Sequence, residues 1–230
     1  LEIAAELVQP GTMVALGGMT LYRRPMAFVH ALINKYIRDR SPTKLTLFAF
    51  TAGIESDLMI GTGMVDAVRT CYFGLEIFGF APMFTYLANR AEIKVIEETE
   101  ASLAFGLRAQ MAGVGFMPGQ GWIGTDLPKL RPDVKTVKDP YSGELLMAFP
   151  AIKPNIAIIH AIRADEDGNA VIGRNKGVDE ELALASDIVV ITAEEIVKKL
   201  DRADIPAPMV DYLAVAPGGA KPTSCHPLYP

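Results

Sequence analysis

Short apolar runs alternate along the chain with longer stretches whose apolar residues recur every three or four positions. Thr12–Leu16, Leu45–Phe50, Ala67–Tyr72, Ile156–His160 and Ile188–Thr192 are nearly continuous apolar runs, the pattern of strands covered on both faces, as in a parallel sheet. Met26, Val29, Ile33, Tyr36 and Ile37 fall on one helical face, and Ser41-Pro42 closes that segment. Residues 101–113 predict a second helix, and Asp179–Ala185 a shorter one whose acidic first turn suits the helix dipole. Gly113–Tyr141 is rich in Gly and Pro and reads as a long loop, of a length that is often functional. Repeated βα units predict an α/β fold: a three-layer αβα domain with a mainly parallel sheet, spanning residues 1–230, with its ligand site at the C-terminal ends of the strands.

Composition narrows the function classes. Hydrophobic residues make up 50% of the chain and charged residues 21%, which is globular and not disordered. A formal net charge of −5 gives no basic footprint for nucleic acid. Cys71 and Cys225 are far apart, with no CxxC and no Cys/His cluster at ligand spacing, so neither a metal site nor a disulfide framework is expected. No apolar run reaches the roughly 18 residues of a membrane span, and a cytoplasmic location is the expectation.

Candidate chemistry gathers after the first strand, at Gly17-Gly18-Met19-Thr20 and Leu21-Tyr22-Arg23-Arg24-Pro25. Paired glycines let a backbone approach a ligand, and Pro25 suits a first helical turn. A strand-to-helix turn that merely needs glycine explains the same residues, so both readings stay open. His160 ends an apolar strand, where a lone histidine is most often a satisfied core residue. Asp165 to Asn169 reads as a tight turn, with Gly168 and Asn169 supplying positive φ.

In spacing, Gly11, Val14-Ala15-Leu16, Gly17-Gly18 and Pro25 resemble the signature of the A-type subunits of family I coenzyme A-transferases, closest to the glutaconate branch. Met19 stands where that family has Phe, and Arg23 where many members have Gly. Ala157–Gly173 (AIIHAIRADEDGNAVIG) and Val210–Tyr229 (VDYLAVAPGGAKPTSCHPLY) resemble two further segments of the same subunits, with Lys221 at a position that is commonly His.

The resemblance implies a CoA-transferase/sugar-isomerase-like fold, with coenzyme A as substrate and no permanently bound cofactor or metal. It also implies a B-type partner, in a heterodimer or heterotetramer, that carries the nucleophilic glutamate, because that glutamate's motif is missing here. Gly17, Gly18, Met19, Thr20, Arg23 and Arg24 are then the substrate-binding candidates. The two glycines would offer N–H groups to a thioester carbonyl, and Arg23 or Arg24 would meet the distal carboxylate of a small dicarboxylic acid.

Glu100 is the catalytic candidate. It falls where the transferases carry Gln and where relatives that hydrolyse CoA thioesters, including ring-opening ones in steroid breakdown, carry Glu. A carboxylate can take a proton and an amide cannot. The alternatives are therefore a CoA-thioester hydrolase or C–C cleaving enzyme, a glutaconyl-type CoA decarboxylase, and a non-catalytic ligand sensor or sugar-phosphate isomerase of the same fold. Ordinary helix-start chemistry also accounts for the acidic run Glu97, Glu98 and Glu100.

Overall fold

The computed structural model describes residues 1–230. In chain order the elements are α1 (Glu2–Glu6), β1 (Met13–Leu16), α2 (Met26–Asp39), β2 (Leu45–Ala52), α3 (Ile54–Thr62), β3 (Val65–Phe73), α4 (Pro82–Asn89), β4 (Lys94–Glu97) and α5 (Glu100–Met111). Then come β5 (Phe116–Gly119), α6 (Leu127–Leu130), β6 (Lys135–Lys138), β7 (Leu145–Pro150), β8 (Ile156–Ala161), β9 (Arg163–Asp165) and β10 (Ala170–Val171). The chain closes with α7 (Asp179–Ala185), β11 (Ile188–Ala193), β12 (Ile196–Val197) and β13 (Tyr212–Val215).

Seven strands form one sheet in the order β13-β11-β8-β1-β2-β3-β4, and every pairing in it is parallel. Each strand alternates its side chains between two faces, so the apolar runs feed two cores. Val14, Leu16, Leu47, Val68 and Ile158 pack with Phe28, Val29 and Leu32 of α2 and with Met59 and Ile60 of α3. Ala15, Phe48, Ala157, Ile159 and Ile191 pack on the opposite face with Leu103 and Leu107 of α5 and Leu182 of α7. That is the expected three-layer αβα arrangement. No helix is long and apolar enough to cross a membrane.

Strand order reverses between β1 and β8: the first half of the chain builds outward from β1 on one side, and the second half from β8 on the other. Ligands of open α/β sheets favour the crevice at such a switch, beyond the strand C-termini.

Several local expectations are corrected. Gly113–Tyr141 is not a plain loop; it contains β5, α6 and β6, and with β7 it makes a three-stranded antiparallel flap in the order β5-β7-β6. The flap has its own small core of Trp122, Val134, Met147 and Phe149 and lies on α5, where Phe105 stacks on Phe149 at 5.4 Å. In α2 the buried face is Met26, Phe28, Val29 and Leu32, and Ile37 is exposed. Pro25 is the cap before α2 and not its first residue. Gly168 has φ +101°, whereas Asn169 stays out of the left-handed region and serves the turn through its amide bonds to Asp165.

Candidate active site

The turn after β1 closes on itself and on the neighbouring strand. Gly17 N donates to Ile158 O at 2.9 Å, and Met19 and Tyr22 exchange backbone bonds at 2.8 and 2.9 Å. Gly18 N donates to both carboxylate oxygens of Asp179, at 3.0 and 3.1 Å, and Thr20 N to Thr51 Oγ1 at 2.9 Å. The glycines are required for packing. A Cβ on Gly17 would lie 2.9 Å from Asp179 Oδ1, and Gly18, at φ +82°, would place one 2.5 Å from Arg23 O. Both N–H groups, expected to face a thioester, are bonded within the chain.

Arg23 and Arg24 turn inward. Neither has measurable exposure. Arg23 Nη2 pairs with Asp179 at 2.7 Å and reaches Asn175 O at 3.1 Å, while Nη1 donates to His160 O at 2.6 Å. Arg24 pairs with the equally buried Glu55 of α3. The β1/β8 crevice is thus filled by protein charge that ties β1, β8 and α7 together, with both guanidinium groups engaged in internal ion pairs. Of the six binding candidates, Met19 and Thr20 keep half-buried side chains just beyond the C-terminal end of β1.

Glu100 stands apart from that crevice, beyond β4, as the first residue of α5. It is exposed, while Thr99 caps the helix and shares a capping box with Ser102, so capping does not consume its carboxylate. Beneath it Glu98 is buried and accepts from Arg69 Nε at 2.8 Å, Arg131 Nη1 at 2.7 Å and Ser102 Oγ at 2.5 Å. Arg131 also holds Glu97 O at 2.8 Å, and Trp122 Nε1 donates to Thr99 Oγ1 at 3.0 Å. Flap and sheet together fix the start of α5, and with it the Glu100 backbone.

Cys71, half-buried on β3, lies near enough to this site to be affected by its charge. Burial, followed by the negative charges of Glu100 and Glu98, pushes its thiol up to about 11. A thiol so raised is protonated at neutral pH, which disfavours a nucleophilic role. Sequence reasoning missed Glu98, Arg131 and Cys71 as parts of one site. Glu98 is visible within the acidic run, but only its burial separates it from its neighbours.

His160 belongs to a separate network. Its Nδ1 lies 2.8 Å from Thr192 Oγ1 and its Nε2 2.7 Å from Glu194 Oε1. Glu194 also accepts from Tyr229 Oη and from Gly218 N at 2.6 Å. Ligand atoms of His160, Glu194 and Cys225 fall within 4.8 Å of one another. Two ligands on a tetrahedral ion such as zinc stand roughly 3.3 Å apart, so the 2.7 Å contact marks a hydrogen bond. The cluster fastens the C-terminal segment to β8 and β11.

Residues 1–216 match the coenzyme A transferase family model. Among curated relatives, the A-type subunit of a 3-oxoadipate CoA-transferase from Pseudomonas knackmussii is 30% identical, over 99% of this chain and 81% of its own. An uncharacterised Archaeoglobus fulgidus protein is 32% identical over 99% of this chain, which spans about half (52%) of that relative. A cholesterol ring-cleaving hydrolase IpdA subunit from Rhodococcus jostii is 29% identical over 96% of the chain and 78% of its own. Among solved structures, a variant of the decarboxylase AibA/AibB superposes with a TM-score of 0.92 at 30% identity, covering 100% of this chain and 86% of that one. Glutaconate coenzyme A-transferase from Acidaminococcus fermentans gives 0.87 at 27%, covering 97% and 77%. By family match, sequence and fold, the chain belongs to the coenzyme A transferases.

Proposed function

We propose that the chain is the A-type subunit of a two-subunit CoA-transferase that moves CoA between an acyl-CoA and a small dicarboxylic acid, with the nucleophilic glutamate on a B-type partner. The observation that carries this is the match, over almost the whole chain, to the corresponding polypeptide of the 3-oxoadipate CoA-transferase. Splitting one transfer into covalent half-steps lets a carboxylate hold the acyl or CoA group between donor and acceptor. This chain's share is the wall of the site: the half-buried Met19 and Thr20, and the braced start of α5. The dicarboxylate preference is supported by relatives that act on 3-oxoadipate and glutaconate. It is not supported by Arg23 or Arg24, which are occupied internally.

A second reading, CoA-thioester hydrolysis, C–C cleavage or decarboxylation, is favoured by one specific feature. Glu100 is an exposed carboxylate that makes no hydrogen bond within the chain and stands on a clamped helix start, and the relatives include a decarboxylase and a ring-cleaving hydrolase. Glu100→Gln in the assembled enzyme separates the two. A transferase should keep kcat within about threefold, whereas a general base should lose ~10²–10⁴-fold without loss of melting temperature.

A further inference from the structure

Most exposed apolar side chains are scattered over the surface, as Ile3, Ile37, Leu130 and Tyr141 are, but one group crowds around a single turn. Between β3 and α4, Ile77 is 91% exposed, Phe78 74% and Phe80 84%, and Tyr86 on α4 adds 55%. The turn is built to hold them there. Leu75 N bonds Gly79 O at 2.9 Å, Phe78 N bonds Leu75 O at 3.0 Å and Gly79 N bonds Glu76 O at 3.0 Å. Glu76 and Gly79 adopt φ +54° and +94°, a conformation with a cost for Glu76. An ordered, internally bonded turn that presents its apolar residues to water is preorganised for burial against something else.

We infer that this turn and the start of α4 form the docking surface for the B-type partner, an inference that rests on the two-subunit reading above. These four side chains leave roughly 600 Å² of apolar surface in water, close to the roughly 800 Å² that each partner brings to a stable interface. The turn leaves the C-terminal end of β3, so it shares the sheet edge with Cys71 and the start of α5, and a partner seated on it borders the candidate site. Beside it opens a cavity of about 290 Å³ lined by Leu21, Ile54, Leu75, Phe78, Pro222 and Thr223. Its size and apolar lining fit an anchoring side chain from the partner. The relatives' designation as one of two kinds of subunit commits the surface to a different polypeptide and not to a second copy.

Sedimentation velocity with the B-type polypeptide encoded in the same genome tests this. The double substitution Ile77→Ser/Phe80→Ser, on two exposed positions, should weaken the complex at least 100-fold and leave the melting temperature unchanged. Tyr141→Ser, at a 97% exposed flap position, should leave the complex intact. If the wild-type chain binds the B-type polypeptide and the double variant binds it equally well, this surface is wrong and the two-subunit reading survives. Self-association that the double variant abolishes, without B-type binding, assigns the turn to a second copy and overturns the inference. If the wild-type chain binds nothing, the two-subunit reading fails first and this inference with it.

Discussion

Asp179→Ala offers a quantitative test of the site's internal wiring. Its carboxylate is 1% exposed and neutralises Arg23 while accepting from Gly18 N. Truncation leaves a buried guanidinium without its counter-charge, at a cost of about 3–5 kcal/mol, and strips Gly18 N–H of its acceptor, worth about 1–3 kcal/mol when it stays buried. These losses overlap, so about 4 kcal/mol is expected, a large share of the roughly 5–15 kcal/mol that holds a domain together. Arg23→Met should cost a similar amount. The double variant Arg23→Met/Asp179→Leu removes both charges and should cost at least ~2 kcal/mol less than the sum. Urea unfolding at constant m-value measures all three. Single losses below about 1 kcal/mol, together with an Arg23→Met enzyme whose KM rises only for dicarboxylyl-CoA, would refute the structural role and return the guanidinium to the substrate.

Three further outcomes follow from local geometry and charge. Gly18→Ala should destabilise the protein by more than about 1 kcal/mol on a thermal melt, because φ +82° and a 2.5 Å approach to Arg23 O leave no place for a Cβ; a neutral result contradicts the closed turn. Arg131→Met, which deprives Glu98 of one cation and frees Glu97 O, should lower the melting temperature and raise hydrogen exchange at the start of α5 first; uniform or absent change would show that the flap does not brace that helix. Burial holds the His160 imidazole below its ordinary 6.5, against the opposing bond to Glu194. Burial pushes the Glu194 carboxyl up, but bonds from Tyr229, Gly218 and His160 outweigh it and keep it below 4.5. The unfolded chain therefore takes up protons first in both cases. The stability these groups contribute is complete above pH 6.5, declines as pH falls through 6.5 for His160, and declines again below 4.5 for Glu194. A melting temperature that rises as pH is lowered from about 7.5 to about 5.5 contradicts this.

The central strands are legible in the sequence because burial on both faces leaves unbroken apolar runs, as in Ile156–His160 and Ile188–Thr192. The edge strand β4 is not, since its residues remain exposed or only half-buried and Lys94 and Glu97 hide the strand. The flap escapes because strands of four residues around Gly and Pro resemble a loop. Glycine at positions 17 and 18 is readable as a constraint; for Gly18 the cause is local, the return of the turn to Arg23 O, but for Gly17 it is the approach of Asp179 from far along the chain, beyond any local pattern. The same separation disguises Arg23: a basic residue in a glycine turn looks free until its partner, 156 positions away, is placed beside it. Glu100 differs, because the acidic run already places it at a helix start, where the structure finds it exposed.

The fate of the thioester tests the central claim most directly. The chain, assembled with its B-type partner, is supplied with acetyl-CoA and, one at a time, small dicarboxylic acids, while new acyl-CoA, free CoA thiol and released carbon dioxide are quantified together. The account predicts that new dicarboxylyl-CoA appears mole for mole with acetate and only with an acceptor present, with free thiol and carbon dioxide at background. Net release of CoA thiol from a dicarboxylyl-CoA without an acceptor, or of carbon dioxide, would contradict it and hand the site to Glu100.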